Sequence, residues 1–162
     1  LRWQRLESAQ GDVVEPGHQF EWAWLLMRWG HARQRPDATE AARKLIAIGE
    51  GHGLCASRGV ALNQLNHAMQ VVDASAKLWP QTERIKAWCA LAQHAHSDTE
   101  RTQALQSANR AMQGLMPYLN HPHPGLWQEV MLPSGEFTVE PCRASSLYHI
   151  VCAIETLHQT SV

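Results

Sequence analysis

The fold is decided by the stretch Glu15-Pro-Gly-His-Gln-Phe-Glu-Trp-Ala-Trp-Leu-Leu-Met-Arg-Trp29, which predicts a helix that is apolar on nearly every side. Such a helix is normally buried, so a polar side chain that it carries inward needs a partner or a function. We expect the helix to begin near His18, just after the Pro-Gly pair. His18 and Glu21 should share one face and are the first candidates for chemistry. The structural alternative is that His18 caps the helix and Glu21 pairs with Arg28.

Composition places the chain among folded proteins of single-domain size. It has 162 residues, of which 44% are hydrophobic and 18% charged, with a net charge of -1. These values exclude disordered and fibrous classes, and the scattered basic residues provide no electrostatic footprint for nucleic acid. No apolar run reaches the roughly 20 residues that cross a bilayer, and no signal-peptide pattern opens the chain. We therefore expect a cytoplasmic protein that binds neither nucleic acid nor membrane.

Cysteine and histidine usage predicts no metal centre. The four cysteines are widely spaced without a CxxC pair, and we interpret them as small buried hydrophobes in a reducing compartment. The pairs His94-Ala-His96 and His121-Pro-His123 fall in predicted loops without acidic or cysteine partners, which favours surface histidines over metal ligands. Seven tryptophans remain as the compositional oddity, and aromatic walls are typical of small-molecule pockets.

Helix signals recur along the chain. Asp37 and Glu40 resemble a capping box, Ser97 and Glu100 form a full one, and Pro80 suits the first turn of a helix. Pro117 should end a helix or disturb its last turn. The sequence predicts helices at 18–33, 38–49, 80–94, 98–116 and 144–158.

Two segments between these helices are predicted as β-hairpins. One lies within residues 54–78, where Asn63, Asn66 and Asp73 are poor helix formers, although an irregular helix is the alternative. The other surrounds Pro133-Ser134-Gly135.

The helices alternate between mostly buried ones, at 18–33, 80–94 and 144–158, and more polar ones. This alternation indicates helical hairpins in two layers, with the polar helices outside. Each buried helix carries titratable residues near its start: His18 with Glu21, then Glu83, then His149. If the buried helices run in the same direction, these side chains converge on one face.

Three blocks of sequence resemble the N-acylglucosamine 2-epimerase family in order and spacing. They are Pro16-Gly-His-Gln-Phe-Glu-Trp-Ala-Trp-Leu-Leu, Trp79-Pro-Gln-Thr-Glu-Arg-Ile-Lys-Ala, and Gly125-Leu-Trp-Gln followed by Ala144-Ser-Ser-Leu-Tyr-His-Ile. The resemblance implies an all-α fold of the (α/α)6-barrel type, with short β-hairpins between helices. It also implies that residues 1–162 form the C-terminal half of that toroid, and the absence of an initiator Met agrees with a fragment.

The resemblance further implies a carbohydrate epimerase or isomerase that needs neither a metal nor another cofactor. By match to the family's motifs, His18, His149 and Glu83 are expected to be catalytic, and Glu21, Trp79 and Trp127 to bind the sugar. Histidine suits proton transfer next to a sugar carbonyl because it titrates near neutrality. We expect His149 to move the carbon-bound proton through an enediol, and His18 to act on an oxygen.

Substrate and class stay open at this point. We favour a mannose–fructose isomerase, with N-acetylglucosamine 2-epimerase as the alternative and a non-catalytic sugar- or protein-binding module as the alternative of another class. The resemblance implies a sugar as the small-molecule partner. An exposed apolar seam is also expected, which would lead to a homo-oligomer or to pairing with the missing N-terminal half.

Overall fold

The computed structural model describes residues 8–161, and helices dominate this part of the chain. The five helices of this range are α1 (Pro16–Ala32), α2 (Pro36–His52), α3 (Leu78–Gln93), α4 (Asp98–Leu119) and α5 (Ala144–Ser161). Six short strands lie between them: β1 (Leu54–Cys55), β2 (Val60–Ala61), β3 (Gln64–Leu65), β4 (Val71–Asp73), β5 (Ala76–Lys77) and β6 (Val130–Met131). A 3-10 turn at Ala9–Asp12 precedes α1.

The helices form two layers. α3 packs against α1 on one side and α5 on the other, while α2 packs on α1 and α4 packs on α3. The three inner helices run in the same direction, as contacts between matching ends of neighbouring helices show. His18 of α1 contacts Trp79 of α3 at one end, and at the other Gln93 of α3 donates to Thr160 of α5. The predicted convergence of the inner helix starts is therefore confirmed.

Helix α3 is enclosed on nearly every side, so its polar residues find partners within the protein. The amide of Gln81 donates to the Ala61 carbonyl and accepts from the Ala61 N–H at 2.9 and 2.7 Å. Arg84 makes a bidentate contact with Glu50 at 2.6 and 3.0 Å. Buried polar groups without such partners would each cost about 1–3 kcal/mol. These contacts fix both the β2 segment and α2 against the central helix.

The other two inner helices are buried on one side only. Trp22, Leu25 and Trp29 of α1 are exposed, and so are Leu147, Tyr148, Val151 and Ile154 of α5. Among the described residues, α1 and α5 are therefore less buried than the mostly buried helices that the sequence predicts, because each packs against one inner helix, α3, and the exposed apolar residues agree with the expected apolar seam. Arg28 lies over the Trp24 ring at 4.8 Å, and not beside Glu21 as the structural alternative required.

The starts of α2 and α4 test the two predicted capping boxes. The Asp37 capping box is wrong: α2 begins earlier, at Pro36, and the Asp37 carboxylate pairs with Arg35 at 2.9 and 2.7 Å. The Ser97 box is confirmed in one half, because its hydroxyl accepts from the Glu100 N–H. The Glu100 carboxylate instead accepts from the backbone N–H of residue 96 and pairs with residue 43. Helix α4 continues through Pro117 to Leu119.

Both predicted hairpins are present in shortened form. β3 pairs with β4 in antiparallel register, and β1 pairs with β2 just before them. Around Pro133-Ser134-Gly135 the chain reverses, with Gly135 at φ +91° and a single bridge between Met131 and Phe137. The β6 strand pairs instead with β5, which leads directly into α3. This pairing brings the segment before α5 close to the start of α3.

The four cysteines are free thiols. Cys89 is buried, as expected, and burial raises the pKa of its thiol. The expectation is wrong for the other three, Cys55, Cys142 and Cys152, which are half-buried. Cys55 lies in a cavity that Arg58 and Arg84 also line. A hydrogen bond with Ser57, supported by Arg58, outweighs burial and lowers the Cys55 pKa to about 7. None of the helices within residues 8–161 is both long and apolar enough to cross a membrane.

Replacement of Gly49 by Ala should destabilise the protein by about 1–3 kcal/mol, because a Cβ there would lie 2.7 Å from the buried Phe20 ring. Gly51 is the matched control. It lies in the same helix with nothing within 4 Å of the added Cβ, so Gly51→Ala should stabilise by up to about 1 kcal/mol. Urea unfolding of both variants measures the difference, and equal shifts would contradict the packing argument.

Iodoacetamide at pH 7.5 should label Cys55 well before Cys89. The thiolate is the reactive form, so labelling of Cys55 should rise with pH around its pKa of about 7. Peptide mapping by mass spectrometry measures the rate at each site. Ser57→Ala should move the midpoint to higher pH, and a midpoint near the ordinary value of about 8.5 in the unsubstituted protein would contradict the assignment.

Candidate active site

The candidate site lies where the parallel inner helices begin. His18 is in the first turn of α1, Trp79 and Glu83 are in the first two turns of α3, and His149 is in the second turn of α5. The structure thus brings together residues from all three blocks of sequence.

His149 is held by a buried carboxylate. Its Nδ1 lies 2.7 Å from Oε1 of Glu83, whose side chain is fully buried. With Glu83 ionised, the carboxylate can only accept hydrogen bonds, so Nδ1 of a neutral His149 would carry the proton and donate it. The other ring nitrogen, Nε2, is then free of a proton in the neutral imidazole. This tautomer is the one that a general base requires.

The second oxygen of Glu83 contacts a cation that the sequence reasoning missed. Nζ of Lys86 lies 2.8 Å from Oε2, and the Lys86 side chain is 2% exposed. The ammonium also lies 4.1 Å from the centre of the Trp24 ring. Helical spacing could have indicated this pair, because residues three apart share a face.

His18 has a different carboxylate partner. Its Nδ1 lies 2.7 Å from Oε2 of Glu15, one turn earlier, and about half of the His18 side chain is exposed. The sequence predicts that Glu21 shares a face with His18, but the carboxylate in contact with His18 is Glu15. By the same logic as for His149, a bond to ionised Glu15 leaves Nε2 of His18 without a proton in the neutral ring.

Trp79 lies between the two histidines. Its ring centre is 5.1 Å from that of His18 and 5.8 Å from that of His149. Gly17 permits this position, because a Cβ at residue 17 would come within 2.4 Å of the tryptophan ring. The two imidazoles therefore flank one aromatic surface, which is a suitable platform for a sugar.

Tyr148 of α5 is close enough to both Glu83 and Glu21 for their charges to act on it. Tyr148 packs edge-on against His149, with ring centres 5.3 Å apart. The neighbouring Cys152, burial and the negative charges of Glu83 and Glu21 raise the pKa of the Tyr148 phenol. Glu21 itself is half-buried.

A second buried carboxylate, Glu129, organises the segment before α5. It accepts from the indole N–H of Trp127 at 2.8 Å, from the backbone N–H of Arg143 at 2.6 Å and from the Ser146 hydroxyl at 2.8 Å. Ser146 precedes His149 by one helical turn. Trp127 itself packs against the hydrophobic core, so it contacts the site through Glu129.

A cavity of about 50 Å³ adjoins His149 on this side. It is lined by Lys77, Trp79, Glu129, Val130, Arg143, Ser145, Ser146 and His149. The cavity therefore combines cationic, hydroxyl and aromatic groups beside the candidate base.

The histidine pairs outside the site do not gather metal ligands. His94 stacks on His31 with ring centres 3.9 Å apart. His121 Nδ1 accepts from the backbone N–H of His123 at 3.0 Å within a turn. Within residues 8–161, no three His, Cys, Asp or Glu side chains are close enough to hold a metal ion.

Sequence comparison identifies the family. The model of the N-acylglucosamine 2-epimerase family matches residues 1–153. The chain belongs to this family. A curated relative, mannose-6-phosphate isomerase of Rhizobium meliloti, is 44% identical over 158 residues, which is 96% of this chain and 40% of the relative.

Solved structures place the epimerase-family chain within a known architecture. A D-mannose isomerase matches with a TM-score of 0.72 and 19% identity, over 91% of this chain and 37% of that one. Cellobiose 2-epimerase of Bacillus thermoamylovorans matches with a TM-score of 0.81 and 9% identity, over 92% and 40%. The predicted (α/α)6-barrel type is confirmed, and the chain forms part of it. The chain spans about two fifths of the length of these proteins.

Gly17→Ala should displace the Trp79 ring of this epimerase-family chain, because the added Cβ overlaps the indole. With 5-fluorotryptophan incorporated, we expect the ¹⁹F resonance of Trp79, assigned from Trp79→Phe, to shift more than the other tryptophan resonances. Gly51→Ala is the control and should leave the Trp79 resonance in place. An unchanged Trp79 resonance in Gly17→Ala would show that the ring does not depend on this glycine.

Proposed function

We propose that the protein carrying this chain is a carbohydrate isomerase or 2-epimerase that works by histidine-mediated proton transfer. The observation that carries the proposal is the His149–Glu83 contact, placed beside a tryptophan ring that His18 also contacts. Membership of the N-acylglucosamine 2-epimerase family supports the same reaction class. The proton transfers use imidazole and carboxylate groups, and the proposal includes no metal or other cofactor.

His149 is the proposed base at carbon. Its free Nε2 takes the proton from C2 of an aldose, and the electron pair of the C–H bond forms the C1=C2 bond of an enediol. The imidazolium that results donates through Nδ1 to Glu83, whose negative charge stabilises it. The same proton then returns to C1 while the O2 hydroxyl gives up its proton and forms the C2 carbonyl of the ketose, so the reaction needs no oxidant.

His18 is the proposed acid and base at oxygen. As the imidazolium paired with Glu15, it donates its Nε2 proton to the carbonyl oxygen as the enediol forms, and the neutral ring then accepts the O2 proton as the ketose forms. The same group assists ring opening of the sugar. In a 2-epimerase, the proton must return to the opposite face of C2, which favours two bases on opposite sides. His18 is then the candidate for the second base. We propose that Glu21 binds sugar hydroxyls and that Trp79 stacks on the sugar. Trp127 is proposed to contribute to sugar binding through its hydrogen bond to Glu129, which lines the cavity beside His149.

We favour mannose–fructose isomerisation over N-acetylglucosamine 2-epimerisation. The relative at 44% identity is named a mannose-6-phosphate isomerase, and a mannose isomerase is among the structural matches. Whether the sugar carries a phosphate depends on the cations near the site. Lys77 and Arg143 line the cavity beside His149 and are the groups that a 6-phosphate would meet.

A non-catalytic binding module is the candidate of another class. The exposed apolar stripes on α1 and α5 support association with further protein surface. We propose that the rest of the barrel covers them, with a homo-oligomer as the alternative. The four free thiols fit a reducing compartment, and we propose the cytoplasm.

The full-length protein should be incubated in deuterated water with mannose, mannose 6-phosphate, fructose or N-acetylglucosamine. Proton NMR then measures product formation and loss of the C1 or C2 proton signal. Deuterium exchange at C1 or C2 of one sugar supports an isomerase or epimerase and identifies its substrate. Binding without exchange for every sugar would contradict an enzyme and favour the binding module.

His149→Ala in the full-length protein should lower turnover by at least about 100-fold, the usual contribution of a general base. Circular dichroism should show an intact fold, since His149 lies in the second turn of α5 with part of its side chain exposed. His96→Ala is the control: it removes an exposed histidine that follows the opposite end of α3. Near-normal turnover in His149→Ala would remove His149 from the mechanism.

A further inference from the structure

Lys86 is an unusual residue because its charged group is inside the protein. The residue is 1% exposed, and neighbouring Glu83 is 0% exposed. Lysine is almost never fully buried unless it is paired, and moving each charge out of water costs several kcal/mol. A purely structural helix could place an apolar residue here at no such cost. The position of the ammonium therefore calls for a physical reason.

The contacts of the Glu83 carboxylate provide that reason. One oxygen lies 2.8 Å from Nζ of Lys86, and the other lies 2.7 Å from Nδ1 of His149. The carboxylate thus stands between a fixed cation and an imidazole. Trp24 of the neighbouring helix α1 covers the ammonium at 4.1 Å, which favours a charged group at this point.

We propose that Lys86 is a positioning residue that balances the charge of Glu83 so that His149 stays a neutral base. This inference rests on the proposed function, in which His149 removes the carbon-bound proton. With Lys86 present, the Lys86–Glu83 pair is neutral, and a proton on His149 gives the buried cluster a net positive charge. Without Lys86, the same proton would neutralise Glu83 and would be retained.

Lys86 also selects which nitrogen acts. By keeping Glu83 ionised, it leaves the carboxylate able only to accept, so His149 must donate from Nδ1 and present Nε2. A protonated Glu83 could instead donate to Nδ1, and the proton of the neutral ring would then sit on Nε2, which could no longer act as a base. One buried ammonium thus determines both the charge and the tautomer of the histidine.

Other charged or titratable groups also face His149, and the experiment has to separate them from Lys86. Lys86 differs from these because its ammonium directly contacts the carboxylate that holds the ring. The others are Tyr148 on α5, Glu21 and His18 on α1, and Lys77, Glu129 and Arg143 along the adjoining cavity.

Lys86→Met in the full-length protein removes the charge and keeps the length of the side chain. The pH midpoint of the His149 ring signals, assigned from His149→Ala by NMR, should rise by about one pH unit or more. The acid limb of kcat/KM should move by the same amount, so that activity at pH 6.5 falls about tenfold while activity at pH 9 returns toward the unsubstituted level. Lys86→Arg, which retains the charge, should restore the original midpoint. An unchanged midpoint in Lys86→Met would overturn the proposal.

Two measurements on the unsubstituted protein test the proposal even if the variants fail to fold. Nitrogen-15 NMR should show His149 as the Nδ1–H tautomer at pH 8. The Cε signal of Lys86 should show a charged ammonium throughout the range in which His149 titrates. A neutral Lys86, or an Nε2–H tautomer, would overturn the inference.

These NMR readouts do not depend on turnover. A raised His149 midpoint in Lys86→Met would support the charge balance even if every sugar failed in the exchange assay, in which case the proposed reaction alone would be wrong. Normal sugar turnover with an unshifted midpoint would leave the reaction standing and reject the role of Lys86.

Discussion

Burial of polar groups on α3 is the constraint on which the rest of the structure depends. This helix is enclosed by α1, α4 and α5, and yet four of its polar or charged residues are buried in the protein: Gln81, Glu83, Arg84 and Lys86. Each group left without a partner would cost about 1–3 kcal/mol, and more if charged. The surrounding elements are therefore placed where they can supply partners, and the polar helix acts as a template for its neighbours.

The partners divide into two sets with different consequences. Gln81 and Arg84 bind the β2 segment and α2, and these contacts fix the outer layer and the entry to the central helix. Glu83 faces the other way, toward α5, where it holds His149. The same physical demand thus produces both a rigid scaffold and the candidate base. Because the site is built on helices and not on loops, its geometry is closely held.

Helices α1 and α5 differ from α3 because each has an exposed apolar face. Helix α3 packs against an inner helix on both sides, whereas α1 and α5 each pack against only one, α3. The remaining apolar residues of α1 and α5 are exposed. The chain spans about two fifths of the family members that it matches. The apolar stripes and the half-exposed His18 lie at the same boundary, so a surface that covers α1 would also change the surroundings of the candidate site.

The sequence by itself determined the helices, their order and the residues that meet at the inner helix starts. Caps, prolines and apolar spacing act within a few residues, so α2, α3 and α4 begin and end close to their predicted limits, and the family motifs identified His18, Glu83 and His149. Helix α2 nevertheless begins earlier than the predicted capping box, at Pro36, because proline is well suited to the first position of a helix.

Only the tertiary structure decided which charges pair. Glu15 takes the contact with His18, Lys86 takes the second oxygen of Glu83, and Glu129 gathers three donors from separate positions. Several carboxylates lie within reach in sequence. Spacing of three residues allows the Glu15–His18 and Glu83–Lys86 contacts, but the choice among the carboxylates depends on burial and on distances between helices.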